Sequence, residues 1–279
     1  MSNTCPGILL RLYFNSIVYT DIAVVNRLMN STVNVMKYSA LTLGCIMMFS
    51  GFSSLSMAEE AKKVDAVPAP RHGTSEMPPS RQYYCYSQQD YGGGSGGIKN
   101  AACKAAYEAA GSENWQRERL FNNWNAYSQN APKDQWQTKV PDEQLCSAGI
   151  ENYKSINLPS ADWYTTELEV KEGRVALDYK ASQMHDPSEF TVYLSKPDFD
   201  PATSKLKWSD LQESPEVKFV GIPDGTKAVP GHYKLDVKLP EGYTTGKKAI
   251  IYIAWARHED PARETFFSCS DVILKNTAG

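Results

Sequence analysis

The 279-residue chain carries only four histidines and six cysteines, and no two cysteines are spaced as a CxxC pair. That spacing argues against structural zinc ribbons and fingers. A strong excess of charge is also missing. Twenty-nine basic against 32 acidic residues leave a net charge of −3, where a nucleic-acid binder presents a basic face. No apolar run reaches the ~18–20 residues needed to span a bilayer. Internal repeats and a low-complexity tail are absent. No pair of carboxylates has the motif support that glycoside hydrolysis across a cleft requires. What remains is a globular composition, 42% hydrophobic and 22% charged, too apolar for disorder and too poor in charge for a coiled coil. The length allows one or two domains, or one large β-rich domain.

The first seventy residues read as something other than fold. Residues 1–35 show neither helical nor alternating period, and are expected to be an upstream misread of the start. From Met36 a Lys, an apolar stretch over about Ala40–Phe52 and small residues leading to Ala58 form the three-part pattern of a secretory signal, 36–58. A membrane anchor would need a longer run, and Thr42-Leu43-Gly44-Cys45 is a weak match to a lipoprotein box. Residues 59–71, charged and Pro-containing, read as a leader or pro-segment ending at Arg71. Export removes Cys5 and Cys45 and leaves Cys85, Cys103, Cys146 and Cys269 in an oxidising compartment. Three pairings are possible. The short loop favours Cys85–Cys103, which leaves Cys146 to close a long loop with Cys269.

After His72 the two prolines of HGTSEMPPSRQYYCYS predict an irregular, non-helical opening. Gly92-x-Gly94-x-x-Gly97 formally matches a dinucleotide fingerprint, but no apolar strand precedes it and no βαβ unit follows. Residues 100–111 are Ala-rich and predict a short helix ended by Gly111, with more helix or ordered loop through Trp136. From about residue 164 the period becomes two. Thr165–Glu169, RVALDYK, EFTVYL, EVKFVGI, HYKLDVKL, KAIIYIAWA and FSCSDVILK predict about seven short strands separated by Pro, Gly and Asp turns. The expected fold is mostly β, an immunoglobulin/fibronectin-III-like antiparallel β-sandwich with a helical and loop insertion after the first strand.

His72-Gly73, then Pro78-Pro79-Ser80-Arg81 and Cys85, resembles the mature N-terminus of bacterial chitin-binding proteins, the lytic polysaccharide monooxygenases of auxiliary-activity family ten. The likeness continues in order through Pro141-Asp142, Gln144-Leu145-Cys146 and Gly149. It continues in Tyr179-Lys180-Ala181-Ser182 with His185, and in Trp255 followed by Phe266-Phe267, Cys269 and Asp271-Val272. It spans 72–279, expected to be one chitin-binding, copper monooxygenase domain.

The resemblance implies a histidine brace for one copper ion. A terminal His offers an α-amine and an imidazole nitrogen, and a second His supplies a third nitrogen, a set suited to copper. By motif His72 and His185 are the metal ligands. Phe266 is the ring beside the metal and is counted with the two histidines as catalytic. Trp124 and Tyr127 are candidates for stacking on polysaccharide, Arg81 and Asp271 are structural, and His232 and His258 are ordinary surface histidines. Gln183 stands where the family generally has a small Ala. An α-amine of pKa ~7.7–8.0 must lose its proton to coordinate, so binding weakens below neutral pH.

The brace further requires a cut between Arg71 and His72. The implied protein is secreted, monomeric, free of membrane and nucleic acid once the signal is removed, and supplied with electrons from outside. It cleaves crystalline chitin by C1 oxidation with O2 or H2O2. Cellulose is the alternative substrate, and a non-catalytic glycan-binding adhesin or virulence factor the alternative function.

Overall fold

The computed structural model describes residues 72–184, 186–220, 230–257, 259 and 261–277. The upstream, signal and leader assignments, His185 and His258 lie outside the described residues.

In chain order the strands are β1 (Gly73–Met77), β2 (Ser128–Asn130), β3 (Thr165–Val170), β4 (Arg174–Ala181), β5 (Glu189–Ser195), β6 (Leu211–Glu213), β7 (Glu216–Phe219), β8 (Gly231–Lys238), β9 (Lys248–Ala256) and β10 (Glu264–Asn276). One sheet has the order β1-β4-β8-β7. The other has the order β2-β10-β9-β5-β6, with β3 also pairing to β10. All pairings are antiparallel except β3 with β10, which run parallel from Thr165 opposite Asp271 to Val170 opposite Asn276. The expected sandwich is therefore present, with one parallel ladder added. Every strand anticipated from the alternating segments is found, and β1, β2 and β6 join them.

The opening segment departs from expectation. Gly73–Met77 is a strand, and a helix runs over Arg81–Gln88. The prolines disfavour helix at and before their own positions but allow one to start after them. Immediately after them Ser80 adopts extended backbone and its Oγ accepts from the Tyr83 N–H, satisfying a donor the first turn leaves free. A second helix, Ala101–Ala109, starts the same way with Asn100 accepting from the Cys103 N–H at 2.9 Å. A third covers Asn114–Asn122, where Gln116 Oε1 accepts from the N–H groups of Ser112 and Glu113.

Two cores flank the second sheet. Between the sheets lie Val175, Leu177 and Tyr179 of β4, Tyr233, Leu235 and Val237 of β8, Ile251, Ile253 and Trp255 of β9, and Phe266, Val272 and Leu274 of β10. On the other side the insertion packs Tyr107, Leu120, Phe121 and Trp136 against Ile250, Tyr252, Ala254 and Phe267. In the first sheet β4 and β8 alternate apolar and polar because one face of each meets water. β9 is apolar at nearly every position because both its faces are covered, which is why KAIIYIAWA reads as a continuous run.

Covalent and ionic ties join the insertion to this frame. Cys85–Cys103 and Cys146–Cys269 are disulfide-bonded, the pairing the loop lengths favoured. The second bond fastens the insertion to β10. Two residues further on, Asp271 meets Arg81 in a two-pronged pair, Nε to Oδ2 at 2.7 Å and Nη2 to Oδ1 at 3.0 Å, both residues buried. The guanidinium also donates to the Ile156 carbonyl at 3.1 Å and lies 4.6 Å over the Trp163 ring.

A charge stranded in a dry interior is costly. Asp271→Ala is expected to lower unfolding free energy by about 3–5 kcal/mol, because it leaves the Arg81 charge buried without its partner. Urea unfolding checks this, and Arg81→Met with Asp271→Leu should recover most of the loss.

Candidate metal centre

His72 immediately precedes β1, and its position is set by the pairing of β1 with β4, where Gly73 sits opposite Ala181. The position after His72 has to be glycine. A Cβ there would stand 2.7 Å from Tyr179 Cε1, 2.9 Å from the Lys180 carbonyl and 3.0 Å from Trp255 Cζ3. The Gly73 N–H donates to the Asn125 carbonyl at 3.2 Å, tying the strand start to the turn that follows the third helix. Opposite, the Ser182 N–H donates to the His72 carbonyl at 2.7 Å. The Ser182 hydroxyl donates to the same carbonyl at 2.9 Å and accepts from the His72 N–H at 3.0 Å.

The imidazole of His72 is half-buried against Phe266, ring centroids 5.8 Å apart and planes inclined by 57°. Phe266 is fully buried, is paired with Trp255 across the β9–β10 ladder and lies 5.3 Å from its ring. Arg257, buried just beyond the end of β9, pairs through Nη1 with Glu264 Oε2 at 3.2 Å. Glu264 also accepts from Ser128 Oγ at 2.8 Å. Burial first, and then the positive charge of Arg257, hold the His72 imidazole below its ordinary pKa of 6.5. The ring is thereby kept neutral, the form in which imidazole ligates a metal. A neutral imidazole with an apolar ring on one side is a suitable donor for a transition-metal ion, whereas the main-chain nitrogen beside it, here a peptide N–H donating to Ser182, could join a donor set only as a free amine. His185, the other predicted ligand, lies outside the described residues; Ser182 and Met184 precede it.

The predicted stacking residues separate. Trp124 is half-buried next to the Asn125 anchor, 4.9 Å edge-on from Tyr83 and 5.6 Å from Tyr86. Tyr127 is not a surface residue. Its side chain is fully buried, stacked at 4.4 Å on Tyr153, and its hydroxyl donates to the Leu120 carbonyl at 2.7 Å. No face of that ring is open to a polysaccharide, because the insertion folds back over it. Gln183 is half-buried, and Arg81 and Asp271 form the structural pair already described.

Among the described residues, one further group brings three metal-competent side chains within 4.8 Å of one another: Glu76, Asp178 and His232. Those atoms are engaged already. His232 Nδ1 lies 2.9 Å from Asp178 and 3.2 Å from Glu76, Lys180 is 2.9 Å from Glu76, and Lys234 pairs with Asp178. Burial pushes the Glu76 carboxyl up, but hydrogen bonds from Tyr83 and Lys180 and the charges of Lys180 and His232 outweigh it and leave it below its ordinary value. With lysines on both carboxylates, His232 belongs to a surface charge network rather than standing alone. Arg257 and Glu264 escaped sequence reasoning, since nothing marks a charged residue at a strand end as facing a site. Ser182 lay inside a recognised motif without a role.

A family profile described as lytic polysaccharide mono-oxygenase, cellulose-degrading, matches residues 72–272. The chitin-binding protein CbpD of Pseudomonas aeruginosa is 35% identical over 202 residues, which cover 72% of this chain and 47% of that protein. A lytic cellulose monooxygenase of Streptomyces ambofaciens is 33% identical over 214 residues, 76% of this chain and 55% of that protein. The chain spans about half the length of these curated relatives. Among solved structures, the cellulose-active lytic polysaccharide monooxygenase CelS2 in complex with copper aligns with TM-score 0.55 and 32% identity, covering 74% of this chain and all of that one. The fusolin of Anomala cuprea entomopoxvirus aligns with TM-score 0.61 at 24% identity, over 75% of this chain and 91% of that one, a likeness of fold.

The depressed pKa fixes a pH dependence. The unfolded chain takes up the imidazole proton before the folded one does. The stability contributed by the neutral ring is therefore present above pH 6.5 and is lost as the pH falls through the folded-state value. An NMR titration of metal-free protein should place the His72 imidazole below 6.5, and Arg257→Gln should move it upward while burial keeps it below that value. A titration at or above 6.5 in the wild type would contradict the electrostatic account.

Proposed function

The chain belongs to the lytic polysaccharide mono-oxygenase family, and we propose that it is a secreted copper enzyme that binds crystalline chitin and cleaves it oxidatively at C1. The observation that carries this reading is His72 itself. It is the residue at which the family match begins, and its neutral imidazole is held beside the buried Phe266 ring with its main chain clamped by Ser182. His72 would hold the ion through its main-chain nitrogen and imidazole, and His185 would supply the third nitrogen. Copper, when bound, supplies the one-electron chemistry that activates O2 or H2O2, with electrons from an external reductant.

The chain's own residues do the rest. Phe266 keeps water and competing ligands from one side of His72. Arg257 and burial together keep the imidazole free of a proton. β1, locked against β4, holds the ligand on a rigid element, as a site working on a crystal surface needs. Trp124 is the aromatic beside the His72–Gly73 anchor that would meet the polysaccharide. The main-chain nitrogen of His72 becomes a good ligand only as a free amine, so this reading includes signal removal and a cut between Arg71 and His72.

Chitin is favoured by the likeness to a chitin-binding protein. Cellulose is the second reading, carried by the family description and by the copper-bound cellulose-active structure. A glycan-binding protein without catalysis is the other outcome the test distinguishes.

The test joins intact mass and product analysis. The secreted protein should have a mass beginning at His72. With copper and ascorbate it should release C1-oxidised chito-oligosaccharides from β-chitin, and more of these than oxidised cello-oligosaccharides from cellulose. His185→Ala should abolish product while thermal unfolding stays near wild type. A mass beginning at Glu59, or product unchanged in His185→Ala, would sink the proposal.

A further inference from the structure

Resting on the copper reading above, we infer that Ser182 is the positioning residue for His72. β4 ends at Ala181, and with it the regular ladder to β1. One residue further, Ser182 makes three hydrogen bonds to His72. Its N–H and its hydroxyl both donate to the His72 carbonyl, and its Oγ accepts from the His72 N–H at 3.0 Å. A hydroxyl has one proton and two lone pairs, so a single Oγ performs both of its roles at once. The side chain thus fastens the two main-chain polar groups of His72 at the point where backbone pairing runs out.

Conversion of the His72 nitrogen to an amine leaves this acceptor in place. With one of its protons committed to Ser182 Oγ, the amine loses freedom to turn about its bond to Cα. The carbonyl end is fixed by the other two bonds, so the residue is held from both sides. The clamp belongs to the group of outer partners whose removal typically weakens metal affinity by about 10–100-fold. Alanine lacks both functions of the hydroxyl, threonine keeps them, and valine has threonine's shape without them. Ser182 sits only half-buried, so these exchanges test the hydroxyl more than the packing.

The test is Cu(II) titration of the secreted protein against a competing chelator, with the Cu(II) EPR spectrum recorded for each variant. Ser182→Ala and Ser182→Val should bind Cu(II) about tenfold or more weakly than wild type, with shifted EPR parameters. Ser182→Thr should restore both. Equal affinity and identical spectra for the threonine and valine variants would overturn the assignment. His72→Ala separates the two claims. If it loses Cu(II) binding while the Ser182 series is silent, the positioning role fails and the copper reading stands. If His72→Ala binds Cu(II) as wild type does, the copper reading fails and this inference falls with it.

Discussion

A strand buried on both faces has to satisfy two cores with one sequence, and β10 does so over eight consecutive residues, Thr265–Val272. Its even-numbered side chains, Phe266 and Val272 among them, enter the space between the sheets. Its odd-numbered ones, Phe267, Cys269 and Asp271, meet the insertion. Such a strand cannot slip by one residue without exchanging the two sets, so its register is fixed from both sides. The disulfide to Cys146, the pair with Arg81 and the ring beside His72 are all placed by that one register.

The same strand holds β1. Ser270 Oγ and Ser75 Oγ both donate to the Pro78 carbonyl, and Thr74 Oγ1 and Ser80 Oγ are 2.8 Å apart. The turn after β1 is thereby fastened to β10, while β1 itself is laddered to β4. His72 lies at the start of a short strand that is restrained along both its length and its far end. Such restraint matters for any reacting group, because displacements of about an ångström already change reactivity.

Much of this was legible in the residues. Period-two alternation located β4 and β8 because each has one wet face, and the unbroken apolar run of β9 still announced a strand by its length and β-branched content. The four cysteines from residue 72 onward left few pairings, and loop length chose among them correctly. The opening was harder. Pro78 and Pro79 obscured a strand on one side and a Ser80-capped helix on the other, because proline forbids helix only locally. Tyr127, a candidate for stacking on polysaccharide, is fully buried, and a Tyr in a polar stretch gives no sign that Tyr153, twenty-six residues on, will cover its ring. Arg257 and its partner Glu264 gave no signal, since the nearness of Arg257 to His72 depends on tertiary placement at the β9–β10 end.

The residues that decide the state of His72 are therefore mostly not ligands. Gly73 must lack a side chain because Tyr179 and Trp255 occupy its place. Trp255 is held there by its pairing with Phe266 and by its indole N–H donating to Ser188 Oγ at 2.9 Å. Phe266 in turn flanks the imidazole. Each member of this chain of contacts is chosen by packing, yet a change in any of them alters the setting of one half-buried histidine. A motif that names only the histidines thus understates what sets His72 in place. The setting of His72 is distributed over β1, β4, β9 and β10, and the family match likewise runs over residues 72–272 and not over the histidines alone.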